Sequence, residues 1–296
     1  YFCTSACISM GEPGSRVGDA DPLRIGLLQN KSVIEFEPVG GAIDLCLGEV
    51  CELTANAGDG LDWSIKAYSG ICQFYNGDTP VGSTGDCEAS LSWTGQPDVG
   101  VKLPTLGYTF GRGEIFVVPA PSNRFHMVLE IGLEEYLYGI GEMPSSWHAE
   151  ALRAQAIASR TYALYKAWVY RDLESHQARL DSCACHLFAT IYDQKYIGMA
   201  KELEGTDGYW GDIWRAAVDD TSGKAAVHDY SAGRAIEAYY FSSTGGATEN
   251  NEDVWGGTAR PYLRSVHDPG STSWVETFDH AEFASLLGFE VVGEVT

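Results

Sequence analysis

EEYLYGIGEMPSSWHAEALRAQAIASRTYAL, residues 134–164, is the stretch from which the rest of the chain can be read. It sets one carboxylate, Glu142, in a short irregular link ahead of a long helix-forming run. Three large side chains, Tyr138, Met143 and Trp147, flank that acid. Apolar surroundings penalise a carboxylate and raise its pKa, which suits a general acid. The positive end of the following helix works in the opposite direction. Ser145 or Ser146 is the predicted N-cap, with Pro144 at the entry. Leu152, Ala156, Ser159, Ala163 and Lys166 trace one side of the helix, and Arg153, Ile157, Arg160 and Leu164 another. Arg160 is a cation among small and apolar neighbours, and taken alone it reads as a surface or ion-paired arginine. His148 is predicted to be partly buried beside Trp147.

Outward from this helix the chain divides in outline. Residues 1–21 are rich in Gly, Ser and acids and are predicted to form a flexible arm pinned by a Cys3–Cys7 loop. Residues 22–126 carry short β-type runs such as LRIGLL (23–28), SVIEF (32–36) and EIFVV (114–118), broken by Gly, Asn and Asp. Residues 127–171 turn helical, 173–200 are irregular and cysteine-bearing, and a mixed region follows. In it TIYDQKYIG (190–198) is a candidate strand and AIEAYYFSS (235–243) a predicted one. The fold class expected is α+β, with a β-rich N-terminal portion packed against a helix-centred mixed portion over 127–296. No apolar run is long enough to span a membrane. The start at Tyr1, without a basic-then-apolar leader, reads as a mature or trimmed secreted product.

The net charge of −22 argues against a general polyanion binder, so nucleic acid is not an expected partner. A neutral sugar polymer is compatible with it. The eight cysteines fall in near pairs, Cys3/Cys7, Cys46/Cys51, Cys72/Cys87 and Cys183/Cys185, which suggests disulfides and an oxidising compartment. A second informative run, SSTGGATENNEDVW (242–255), is rich in glycine and hydroxyls, then acidic. Gly245 and Gly246 permit a tight turn. Ser242, Ser243 and Thr244 offer hydroxyls, and Trp255 is either a stacking platform for a sugar or a core residue. By composition alone this run is a solvated loop. The chain has no G-x-S-x-G elbow, H-E-x-x-H, P-loop or G-x-G-x-x-G motif.

Residues 134–164 closely resemble the first signature of the SpoIID/LytB domain family, and YYFSSTGGATENNEDVWGGTARPYLRSV (239–266) resembles its second. Weaker similarity runs from Leu23 through FGRGEIFVV (110–118) and on to HAEFASLLG (280–288), so residues 22–296 read as one domain of this kind. The resemblance implies a lytic transglycosylase that cuts the β-1,4 bond after N-acetylmuramic acid in peptide-stripped peptidoglycan strands, leaving 1,6-anhydro ends. It places the single acid/base on Glu142 and a helix arginine implicated in activity on Arg160. Tyr240, Ser242, Ser243, Thr244, Glu249 and Trp255 are the substrate-binding candidates. A conventional hydrolase would need Glu249, Glu252 or Asp253 as a second carboxylate. A non-catalytic wall-binding or amidase-enhancing protein, with an amidase as partner, is the alternative. No cofactor is expected. Some relatives hold zinc through a histidine and two cysteines, the second just before a Q-x-Y-x-G element. The element is present as Gln194, Tyr196 and Gly198, but Asp193 precedes it. A disulfide or two free thiols at Cys183 and Cys185 is therefore expected, with zinc on His176, Cys183 and Cys185, near His186, as the metal alternative. Members of this family continue with further strands past the region matching 280–288, which implies a short variant or an absent terminal piece.

Overall fold

A computed structural model of the chain describes residues 7–9, 22–48, 50–60, 62–94, 96, 98–228, 233–268, 275 and 277–288. Cys3 and most of the 1–21 arm lie outside the described residues. The chain falls into two compact units, residues 2–239 and residues 240–296.

In the larger unit the expected β-rich portion is present. A seven-stranded sheet has the order β14-β2-β13-β12-β9-β4-β5. Its strands are β2 (Leu23–Lys31), β4 (Ala42–Leu47), β5 (Val50–Asn56), β9 (Ala89–Ser92), β12 (Glu114–Ala120), β13 (Arg124–Ile131) and the short, parallel β14 (Leu187–Phe188). A six-stranded sheet has the order β11-β10-β3-β6-β7-β8. It is built from β3 (Val33–Val39), β6 (Trp63–Tyr68), β7 (Ile71–Asn76), β8 (Thr79–Thr84), β10 (Gly100–Leu103) and β11 (Tyr108–Phe110). Alternation along these strands sends Ile34, Phe36, Ile43, Leu45, Ile65, Phe74, Leu91, Ile115 and Leu129 into one continuous core. β13 is buried on both faces. Its outer side packs Val128 against Cys183, Ala184 and Cys185. A Cβ at Gly26 on neighbouring β2 would stand 2.8 Å from the Cys185 sulfur, so only glycine lets this segment lie so close to the sheet. Cys7–Ser9, inside the expected arm, forms strand β1 and pairs with β15 (Lys224–Ala226).

The helical part begins with α1 (Leu133–Tyr138) and the long α2 (Ala149–Val169). Then come α3 (Gln177–Ser182), α4 (Met199–Glu202) and α5 (Tyr209–Asp219). α2 buries Leu152, Ala156, Ser159 and Ala163, from one of the two sides traced in the sequence, and packs against α1, α5 and β15. Three expectations are corrected. The α2 N-cap is His148, whose Nδ1 accepts from the Glu150 amide, because Ser145 is committed elsewhere. His148 is exposed, as a cap open to water can be. Neither 190–198 nor 235–243 forms a strand; each makes one isolated bridge, Ile140–Tyr196 and Val227–Ala235, and finds no ladder beyond it among the described residues.

The smaller unit contains α6 (Asn251–Trp255) and α7 (His280–Leu287). Among the described residues no helix is long and apolar enough to cross a membrane.

Candidate active site

Glu142 stands in the irregular link between α1 and α2 that its sequence context predicts, and it is half-buried. Two glycines make the link possible. A Cβ at Gly139 would stand 2.3 Å from the Tyr196 ring, and one at Gly141 2.7 Å from the Ile197 side chain. Without them segment 195–198 could not run alongside. The two backbones then pair: Gly141 N–H donates to Lys195 O (2.8 Å) and Ile197 N–H to Gly139 O (2.8 Å). The same pairing aims the Lys195 amide at Glu142 Oε1, at 2.5 Å. Glu142 Oε2 makes no hydrogen bond among the described residues. Of the large neighbours expected to wall the acid, Trp147 is 54% exposed and Tyr138 turns its hydroxyl to Asp219 (2.6 Å). Burial, then that bond, pushes the Tyr138 phenol up to about 12.

The Q-x-Y-x-G element supplies this second backbone, and each residue has a physical task. Gln194 is fully buried, accepting from Tyr136 Oη (3.1 Å) and donating to Ser159 O on α2 (3.3 Å). Tyr196 stacks between Tyr136 (5.1 Å) and Phe110 (5.9 Å). Gly198 has φ +56° and leaves room for Thr109 O, 2.5 Å from where a Cβ would be.

The link is also held by an ion pair between buried Lys201 and half-buried Glu204, which sequence reasoning missed. Lys201 Nζ, on α4, donates to Met143 O (2.7 Å) and pairs with Glu204 (2.6 Å). Glu204 in turn accepts from Ser145 Oγ (2.5 Å) and Ser145 N (3.2 Å). Burial lowers the Lys201 pKa, against the pull of Glu204. For Glu204 burial pushes upward, yet Lys201 and the Ser145 donors hold it below its ordinary value. The available signal was a lysine and a glutamate three residues apart, right after the Q-x-Y-x-G element.

Arg160 does not join Glu142. Its side chain is fully buried and all five N–H donors are used inside the protein. Nε and Nη2 grip Glu134 (2.8 and 2.6 Å), Nη1 reaches Thr221 Oγ1 and Lys224 O, and Nη2 also reaches Val218 O. It ties α1, α2, α5 and β15 together. The ion-paired reading therefore describes it, and no donor remains for a substrate.

Cys46–Cys51, Cys72–Cys87 and Cys183–Cys185 are disulfides, matching three of the near pairs. The Cys183 and Cys185 sulfurs are thus bound to each other, and His176 Nδ1 lies 2.8 Å from Asp172 O, so the zinc alternative lacks its thiolates here. Among the described residues no cluster of His, Cys, Asp and Glu could hold a metal ion. Asp193, just before the Q-x-Y-x-G element, accepts from four donors: Tyr162 Oη, the Phe188 amide, Arg179 and Lys166. Burial raises its pKa, but those partners outweigh it and the net shift is downward.

In the smaller unit Ser242, Ser243, Glu249 and Trp255 are exposed, and Tyr240 is half-buried. Trp255, 61% exposed, is a surface residue rather than core. The Thr244 hydroxyl donates to Asp268 (2.7 Å) and accepts from the Gly246 amide (3.0 Å), which folds the Gly-Gly turn back on itself. Glu252 is gripped by Arg264, which lowers its pKa to about 2. Buried Asn251 pins Thr258, Arg260 and Arg264.

Sequence comparison bears on the segment that holds Glu142. The profile of the SpoIID family, described as Stage II sporulation protein, matches residues 122–228. Stage II sporulation protein D of Bacillus amyloliquefaciens is 31% identical over 193 residues, 60% of this chain and 52% of that protein. Its counterpart from Bacillus subtilis (strain 168) is 30% identical over 190 residues, 60% of this chain and 51% of that protein. The amidase enhancer of Bacillus subtilis (strain 168) is 34% identical over 128 residues, 43% of this chain and 14% of that protein. The chain spans about half the length of the two sporulation proteins it matches.

Proposed function

We propose, from the match of residues 122–228 to the SpoIID family profile, that the protein acts at the bacterial cell wall as a peptidoglycan lytic transglycosylase, with Glu142 as its acid and base. The observation that carries this reading is the asymmetry of Glu142. One oxygen is fixed by the Lys195 amide, and the other makes no hydrogen bond among the described residues. An N–H donor at Oε1 leaves the acidic proton on Oε2, the oxygen free to meet a glycosidic bond.

In the proposed reaction Oε2–H protonates the bridging oxygen as the C1–O bond of the muramic sugar breaks. The C6 hydroxyl of that sugar attacks C1 and closes the 1,6-anhydro ring, and its proton passes to Oε2. The acid is restored without water or a second carboxylate, unlike the two-carboxylate glycosidases. Lys201 and Glu204 act as positioning residues, and Arg160 holds the elements on which the link is mounted. Exposed Ser242, Ser243, Glu249 and Trp255, with Tyr240 and Thr244 beside them in sequence, are the proposed glycan-binding group of the smaller unit. An extracytoplasmic location follows from the proposed substrate, and the three disulfides support it.

Similarity to an amidase enhancer favours a second reading, a non-catalytic partner of a wall amidase. Mass spectrometry of amidase-treated glycan strands separates the two. Fragments with 1,6-anhydro ends from wild type, reduced about 10²–10⁴-fold by Glu142→Gln, support the lyase. Intact strands with wild type support the amidase partner, and new reducing ends would mean a hydrolase.

A further inference from the structure

A cavity of about 260 Å³ opens in the larger unit, lined by Trp93, Asp98, Arg112, Glu135, Glu202 and Arg215. None of these belongs to the Glu142 link. The FGRG run, which the catalytic reading leaves unused, builds one wall. Gly113 has φ +78° and a Cβ there would stand 2.3 Å from Glu130 O, while one at Gly111 would strike Met199 Sδ at 2.7 Å. Only glycines fit, and between them Arg112 is presented to the cavity. Arg112 is bound two-pronged by Glu202 (2.9 and 2.7 Å), faces Glu135 at 3.6 Å and lies over the Tyr138 ring at 4.9 Å.

The geometry points to a binding site for one N-acetylhexosamine-type ring of a glycan strand, with Trp93 as its platform. Three features select that class. Trp93 packs partly on the core and partly lines the cavity, the amphipathic posture of a stacking residue. The guanidiniums are already neutralised, Arg112 by Glu202 and Glu135 and Arg215 by Asp212, so neither holds charge in reserve for an anion. What remains is a mixture of donors and acceptors suited to hydroxyl and acetamide groups. Arg215 Nε is buried with no hydrogen-bond partner among the described residues, and Asp98 is exposed. The Arg215 side chain is 41% exposed and lines the cavity, so the guanidinium beyond that atom can donate to a ligand oxygen. The volume, below the roughly 300–1,000 Å³ of sites for drug-sized ligands, suits a single ring.

This site rests on the glycan reading of the protein, yet it is chemically separate from Glu142. Glu202 lines the cavity, and its chain neighbour Lys201 holds Met143 O, so α4 is shared by both places. The test is NMR of the tryptophan indole N–H signals in the full chain carrying Glu142→Gln, titrated with tetra-N-acetylchitotetraose. The Trp93 signal is expected to shift saturably, and Arg215→Met, which keeps that reporter, to weaken binding about tenfold. Trp93→Leu, checked for an unchanged melting curve and read by titration calorimetry because the indole reporter is gone, should weaken binding similarly. A silent Trp93 signal up to roughly 10 mM sugar overturns the site, even if wild type makes 1,6-anhydro ends. A saturable Trp93 shift alongside intact strands upholds the site and removes the lyase reading instead.

Discussion

Arg160 is where family resemblance and structure make different demands, and Arg160→Ala separates them. The side chain is fully buried and its five donors serve Glu134, Thr221, Lys224 and Val218. Removing one partner of a buried ion pair costs about 3–5 kcal/mol. Glu134 is 33% exposed and can regain some water, which favours the lower end of that range. A loss of about 3 kcal/mol in a unit of this size lowers the melting temperature by about 6–12 °C. The assay pairs thermal unfolding with glycan-strand cleavage well below the variant's melting point. If Arg160 is a clamp, the melting point falls by that amount while folded molecules keep most of their turnover. Glu142→Gln should behave oppositely, with an unshifted melt and a loss of about 10²–10⁴-fold. An Arg160→Ala protein that melts within about 2 °C of wild type yet is as inactive as Glu142→Gln would refute the clamp, since a change that small corresponds to under about 1 kcal/mol. Arg160 would then act on the substrate.

Lys201→Met removes the donor to Met143 O and the counter-charge of Glu204, so kcat should fall about 10–100-fold with KM little changed, and Lys201→Arg should restore part of it. Unchanged kinetics would detach this ion pair from the site. Asp193 has a depressed pKa in the folded chain, so its contribution is present above the ordinary value of 3.8 and is lost as pH falls below it. The protection factor of the Phe188 amide, measured against its intrinsic exchange rate at each pH, should therefore fall in acid in wild type, while Asp193→Asn has lost that protection at neutral pH too; a variant protected like wild type would dismiss the network. At Lys195 the useful group is the backbone amide, so Lys195→Pro should reduce cleavage far more than Lys195→Ala, and equal effects would mean that the Glu142–amide bond is idle.

Much of the fold could be read because its signals were local. LRIGLL, SVIEF and EIFVV alternate as strands do, and the small-residue side of 149–169 has helical spacing, so both appear where expected. AIEAYYFSS carries the β-favouring Ile236, Tyr239, Tyr240 and Phe241, but propensity yields no strand without a partner, and past Ala235 and Ile236 the described residues offer none. The α2 N-cap was misjudged because Ser145 has the right chemistry in the right place, and nothing local reveals that Glu204, 59 residues away, claims its hydroxyl. Glu142 could be picked from the motif. The Lys195 amide could not, since a backbone donor has no residue type to betray it.

The placement of Glu142 in a link rather than a helix has a physical reason. A helical glutamate takes its direction from rotamer preferences and keeps three χ angles to settle. Here the direction comes from the pairing of residues 139–141 with 195–197, which brings an amide to one chosen oxygen. Main-chain pairing resists side-chain mutation, and the Lys201–Glu204 group fixes Met143 and Ser145 just beyond the acid. Fixing Oε1 also fixes the identity of the reactive oxygen. In the proposed lyase the atom that gives the proton is the atom that takes the next one back, so a carboxyl free to rotate would have to find its orientation twice per turnover. A backbone grip on the idle oxygen removes that search, and it accounts for two crowded glycines standing just before the acid.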